Sequence, residues 1–161
     1  MITLQPVTEE NLGAVLKLKA AEVFVATNYF SLAEAYTSLK WAIDEDKLHY
    51  ALKPFAILND ETIVGFTIIG FEDGEDVDAD GPIFWMSRFM IDEQYQRKGY
   101  GKLAMEELIA LVKSNPDGLV AKYFFTSVVP TNIGAIKTYE NVGFAKTGKM
   151  FHGEELMKLE L

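Results

Sequence analysis

The 161-residue chain is 49% apolar and carries a net charge of −9, a composition that excludes a disordered chain and predicts one globular domain spanning 1–161. Its 24 acidic against 15 basic side chains create a field that repels nucleic acid and favours cationic ligands. No apolar run reaches the roughly 18 residues of a membrane span, and the absence of cysteine excludes disulfides, thiol nucleophiles and thiolate metal sites.

In chain order, Thr3 to Val7 reads as a strand, and Thr8 then caps a helix with Glu9 and Glu10 in its first turn. Leu12, Val15, Leu16, Leu18 and Val23 predict an apolar side for that helix. Ser31-Leu32-Ala33-Glu34 has the form of a capping box, opening a second helix through Leu39, Trp41 and Ile43. Phe55 to Leu58 and Ile63 to Phe71 are predicted strands joined by Asn59-Asp60-Glu61. An acidic run comes next, with Glu72, Asp73, Glu75, Asp76, Asp78 and Asp80 and no base among them. It reads either as a solvated loop or as an attractor for a polycation.

Ile83 to Ile91 is a third apolar strand, and Gln94 to Lys102 leads from it into an amphipathic helix ending near Asn115-Pro116. Tyr123 to Val129 is a strand, and Asn132 caps a helix running to Val142, with Gly143 as its C-terminal glycine. Ala145 to Phe151 and Glu155 to Leu161 form a hairpin turning at Gly153. The order β-α-α-β-β-β-α-β-α-β-β predicts an α/β fold with one central twisted mixed sheet flanked by about four helices.

The segment Gln96-Arg97-Lys98-Gly99-Tyr100-Gly101-Lys102 sits between a strand and a helix N-terminus, where unpaired N–H groups and the helix dipole both favour a phosphate. Gly99 and Gly101 clear side chains from its path, while Arg97, Lys98 and Lys102 add positive charge to an acidic protein. Neither a Walker P-loop nor a G-x-G-x-x-G fingerprint is present.

Arg88 to Asp92 followed by Gln96 to Gly101 resembles the acetyl-CoA motif of the GNAT superfamily of N-acetyltransferases. The likeness continues through Asn132, Ala135, Tyr139, Gly143 and Phe144, covering about Ile83 to Phe144. Phe24 to Asn28, Ser31 to Tyr36 and Trp85 to Asp92 are similar to bacterial spermine/spermidine acetyltransferases. The resemblance implies a GNAT-type acyl-CoA N-acyltransferase fold, splayed where the Ile83–Asp92 strand parts from the Tyr123–Val129 strand. It implies acetyl-CoA as co-substrate, with the loop from Gln96 to Lys102, Tyr100 included, on the pyrophosphate. Met90 and Ile91 would then lie along the pantetheine, Asn132 would touch the coenzyme and Tyr139 would point at its sulfur.

Acyl transfer from a thioester expels a thiolate of pKa about 8.5, to which a phenol near 10 can donate. Tyr139 is therefore the expected catalytic residue, acting by direct transfer in a ternary complex. The incoming primary ammonium, also of pKa near 10, must first lose a proton. The resemblance implies an acidic residue for this on the strand before the motif, where this chain has Ser87 and Arg88. Glu22 on the first helix is the substitute candidate, and Trp41 and Trp85 are candidates to line an amine channel by cation–π contact. No metal site is expected, since His49 and His152 lack ligand spacing. The expected substrate is a polyamine such as spermidine or spermine, in a cytoplasmic enzyme (MITLQPVTEE is no secretory signal) that the resemblance makes a homodimer. Another amine (a protein N-terminus, an amino-sugar drug, a metabolite) and a non-catalytic acetyl-CoA sensor remain the alternative readings.

Overall fold

The computed structural model describes residues 1–20, 28–47 and 50–161, and the side chains of 28–31 lie outside the description. Seven strands form one sheet: β1 (Ile2–Pro6), β2 (Lys53–Asn59), β3 (Thr62–Glu72), β4 (Ile83–Ile91), β5 (Tyr123–Val128), β6 (Ala145–Phe151) and β7 (Glu154–Glu160). The helices are α1 (Glu9–Val15), α2 (Asn28–Asp44), α3 (Tyr100–Lys113) and α4 (Ile133–Asn141). Strand order is β1-β2-β3-β4-β5-β7-β6, antiparallel except for β4 beside β5. The element order and the mixed sheet are those the sequence predicts.

Period-2 alternation divides the sheet residues between two helical layers. Phe84, Met86, Phe124 and Val128 face α3 and α4, packing on Met105, Leu108, Val112 and Ile136. Ala56, Phe66, Ile68 and Met90 face the other way, onto Val15 of α1 and Leu32 and Ala35 of α2. On that same side, beyond β4, none of the four α-helices covers Trp85, Phe125 and Leu156; the acidic loop does, through Val77 in its single 3-10 turn. The loop is pinned by Asp78 to Lys149 of β6, 2.8 Å apart. Within it, burial pushes the Glu72 carboxyl up, and Asp76 and Asp73 push it further.

Two helix boundaries differ from the sequence pattern. α1 ends at Val15 because the chain beyond it is captured elsewhere: Lys19 N–H donates to Asp92 Oδ2 at 2.7 Å, and Glu93 N–H donates to Lys19 O. Asp92 is only 3% exposed, so this bond satisfies a buried carboxylate and outweighs the helical periodicity of Leu16 and Leu18. α2 begins at Asn28, which places Ser31 inside the helix instead of at its cap. Its buried side is Leu32, Ala35 and Ala42, whereas Trp41 and Ile43 are exposed. The β6–β7 hairpin turns at His152 and Gly153, with φ of 48° and 84°, the paired positive φ values that suit a two-residue turn.

Candidate active site

The sheet opens at one point. β4 and β5 are paired in parallel only from Ile83 with Tyr123 to Met86 with Thr126, and the strands then part. The cause lies in β4 itself. Its register on β3 slips between Met86 and Arg88, leaving Ser87 as a bulge. A bulge bends its strand and reverses the facing of the residues beyond it. Met86 accordingly packs on the α3 side, while Arg88, opposite Ile68, faces the α1–α2 side. At the fork, the buried Thr126 hydroxyl donates to Met86 O at 3.0 Å and satisfies the last carbonyl before the split.

The split widens into a cleft of about 920 Å³ lined from β4 (Met86–Ile91), the loop before α3, the end of β5, α4 and Glu154 of β7. Along its β4 wall, Asp92 N–H reaches back to Val64 O on β3. By alternation Met90 also directs its backbone to β3, so the free N–H groups on the cleft edge belong to Phe89 and Ile91. Of the two residues the resemblance places along the pantetheine, Ile91 therefore offers backbone and Met90 only its side chain. The Ile91 carbonyl is taken by Gln96 Nε2 at 3.0 Å, which anchors the loop to the strand.

Arg97 and Gly99 hold φ of 61° and 80°, the left-handed conformation that turns successive N–H groups inward. No described side chain caps α3, so its first N–H groups stay open toward the cleft. A Cβ built at Gly99 would meet nothing within 4 Å, and one at Gly101 only Ile91 and Thr138 at 3.8 Å. The space above both glycines is thus free of protein, which fits a phosphate-sized group. Gln96, Arg97, Gly99, Gly101 and Lys102 line the cleft. Lys98 and Tyr100 do not: the Lys98 amine lies 5.3 Å from the Tyr95 ring centre, and Tyr100 packs beside Ile91 and Ala104.

On the far wall, Asn132 caps α4 by accepting from Ala135 N–H at 3.2 Å. The other end of α4 closes in a Schellman motif: Phe144 N–H donates to Tyr139 O and Gly143 N–H to Glu140 O, with Gly143 at φ 104°. The motif also sets the Phe144 ring, tilted by 49°, 6.0 Å from that of Tyr139, and Phe89 of β4 meets Tyr139 edge-on at 6.4 Å. Three contacts thereby fix one phenol at the cleft wall. Burial pushes the Tyr139 hydroxyl well above the ordinary phenol range, and the charge of Glu154 adds to it.

The sequence pattern does not single out Ser127 and Glu154, which share the cleft. The Ser127 hydroxyl donates to Glu154 Oε2. No local pattern marks Glu154, because only the pairing of β7 with β5 brings it there. Of the proposed amine-channel residues, Trp85 packs on Phe151 at 5.0 Å and lies away from the cleft, as does Trp41, whose ring neighbours Lys47. Glu22 and His49 fall outside the described residues. Among the described residues no group of acidic or histidine side chains could hold a metal, and no helix is long and apolar enough to cross a membrane.

The model of the Acetyltransferase (GNAT) family matches residues 19–144. The chain is 32% identical to the spermine/spermidine N(1)-acetyltransferase of Bacillus subtilis (strain 168), over 99% of each. Among solved structures, an aminoglycoside acetyltransferase in complex with coenzyme A superposes with a TM-score of 0.75 at 16% identity, over 99% of this chain and 95% of the other. The ribosomal-protein-S18-alanine N-acetyltransferase from Escherichia coli gives 0.66 at 19% identity, over 99% and 94%. A seven-stranded sheet split between its fourth and fifth strands, a glycine loop feeding α3 and a family match across both leave one assignment: the chain belongs to the GNAT acetyltransferase family.

Proposed function

We propose that this enzyme transfers the acetyl group of acetyl-CoA to a primary amine of a polyamine, spermidine or spermine, in a ternary complex. The observation that carries the reading is the split itself, with an open helix N-terminus on one rim and a fixed, protonated phenol on the other. Acetyl-CoA supplies an activated acyl group whose thiolate leaves on attack.

In this reading the N–H groups at the start of α3, with Arg97 and Lys102, hold the pyrophosphate, and Asn132 lies along the coenzyme. The Phe89 and Ile91 edge of β4 carries the pantetheine as an added strand would. Tyr139 holds its proton throughout the working pH range. Its raised pKa makes full transfer to the thiolate unfavourable, so its contribution is a hydrogen bond to the sulfur as charge develops there.

The polyamine assignment rests on the full-length likeness to a spermine/spermidine acetyltransferase and on the charge of −9. The acidic loop lies on the same side of the sheet as Glu154, although none of its residues lines the cleft. From there its carboxylates attract the ammonium groups that stay charged while one is acetylated. The lack of cysteine suits a reducing cytoplasm, and the family resemblance implies a homodimer.

The test is an amine panel with a thiol-release readout, run at increasing salt. Spermidine should show kcat/KM well above that of a monoamine of similar length. The advantage should shrink as the Debye length falls from about 10 Å at 0.1 M to about 3 Å at 1 M. Equal efficiency on both amines at every salt concentration would end the polyamine assignment.

A further inference from the structure

We propose that Glu154 is the general base that takes the proton from the incoming ammonium, with Ser127 as its positioning residue; this rests on the acetyltransferase reading above. The inference comes from the two faces of the split. Tyr139 stands on α4, on the α3–α4 side of the sheet. Phe125 and Leu156 point to the opposite side, and by alternation so do Ser127 and Glu154, two residues along from each. The cleft thus takes a proton donor from one face of the sheet and a carboxylate from the other, both along its wall.

That separation matches the chemistry. In attack on a thioester, nucleophile and leaving group bond to one carbon from different directions, so the groups serving them belong on different sides of it. β4, where the resemblance places an acid, carries Ser87 and Arg88; Arg88 is a permanent cation and cannot act as a base. Among the described residues, Glu154 is the one carboxylate lining the cleft. The bond from Ser127 leaves a second carboxylate oxygen with capacity to accept from an ammonium.

The step balances. One ammonium N–H bond breaks and its proton passes to Glu154, directly or through one water. The freed lone pair forms the C–N bond to the acetyl carbon, and the C–S bond breaks with its electrons on sulfur. As the amide forms, the nitrogen loses a second proton, which neutralises the thiolate beside Tyr139. The first proton leaves Glu154 for solvent.

The charged and titratable groups at this end are Tyr139 on α4, Arg88 on β4, Glu155 of β7 (paired with Lys146 of β6) and His152 in the hairpin turn. Glu154→Gln should lower kcat on the order of 10²–10⁴-fold, with acetyl-CoA-induced thermal stabilisation kept. In this variant kcat should rise about tenfold per pH unit toward the amine pKa near 10, whereas the wild type levels off at lower pH. Ser127→Ala should give a smaller loss with the wild-type profile shape, and His152→Gln should change neither. A Glu154→Gln enzyme within twofold of wild type in kcat, with the same pH profile, overturns the assignment. A raised KM at unchanged kcat also overturns it, by making Glu154 an amine-binding group only. If Glu154→Gln loses the acetyl-CoA shift, Glu154→Asp decides in its place: full kcat refutes the assignment, and a tenfold or greater loss with coenzyme binding retained supports it. Wild-type inactivity on every amine would instead count against the acetyltransferase reading itself.

Discussion

The two sides of the split between β4 and β5 are built from different kinds of sequence. The α3–α4 side consists of local devices: a glycine loop opening α3, an asparagine cap, a Schellman motif closing α4, each complete within a few residues. The opposite side is assembled from distant pieces, with Glu154 of β7, Ser127 of β5 and Arg88 of β4 brought to one cleft through strand pairing. Local devices fix a side chain with little help from the rest of the chain. A group assembled through strand pairing depends on register, since a slip of one residue would turn Glu154 to the other face. The α3–α4 side should therefore tolerate changes in the sheet to which the opposite side is sensitive.

On the α3–α4 side the largest expected effect tests the phenol. Tyr139→Phe keeps the Phe89 and Phe144 ring contacts and removes only the hydroxyl. It should lower kcat by roughly tenfold to a thousandfold with coenzyme affinity nearly unchanged. The same variant has a pH signature. Because the folded-state pKa of Tyr139 is raised, above about pH 10 the unfolded chain sheds a proton that the folded one keeps, and stability falls as pH rises. Urea unfolding above pH 10 should therefore fall off less steeply for Tyr139→Phe than for wild type; equal slopes would mean the phenol is not held protonated.

Next in size is the loop. At Gly101 a Cβ makes only ordinary contacts, so Gly101→Val should fold and place its methyls where the proposed function puts the pyrophosphate. Calorimetry should find acetyl-CoA bound about 2 kcal/mol more weakly, roughly 30-fold in Kd. Unchanged affinity would reduce the loop to a turn.

The smallest effect probes how locally the Tyr139 wall is held. Gly143→Ala forces an alanine to φ 104° and brings its Cβ within 3.1 Å of Leu159 Cδ1. A cost of about 1–3 kcal/mol should appear as a lower Tm. If the Schellman motif is what fixes the phenol, kcat should fall with it while the acetyl-CoA shift persists. Full activity with lowered Tm would transfer that role to the packing against Phe89 and Phe144.

Much of this architecture is legible in the amino-acid sequence. The order of elements, β4 to the residue, the caps at Asn132 and Gly143 and the turn at Gly153 follow from hydrophobic period and from residues that only certain backbone angles accept. The glycine loop is visible because anion binding at a helix start needs a short, contiguous stretch. The places where the pattern misleads are those governed by distant contacts. Leu16 and Leu18 continue the periodicity of α1, but Lys19 is bonded to buried Asp92, and the helix stops. Trp41 has an apolar ring in a helical pattern and is nonetheless exposed, because α2 packs through Leu32, Ala35 and Ala42.

The sequence by itself thus determined the order of the elements, the glycine loop that opens α3 and the tyrosine of α4, since each is set by neighbours along the chain. Only the tertiary structure decided that Ser87 bulges, that the parting of β4 from β5 expected from the resemblance begins just beyond Met86 and Thr126, and that a carboxylate from the last strand faces the opening. These depend on which strands pair and in what register, and pairing energies are shared between segments far apart in the chain.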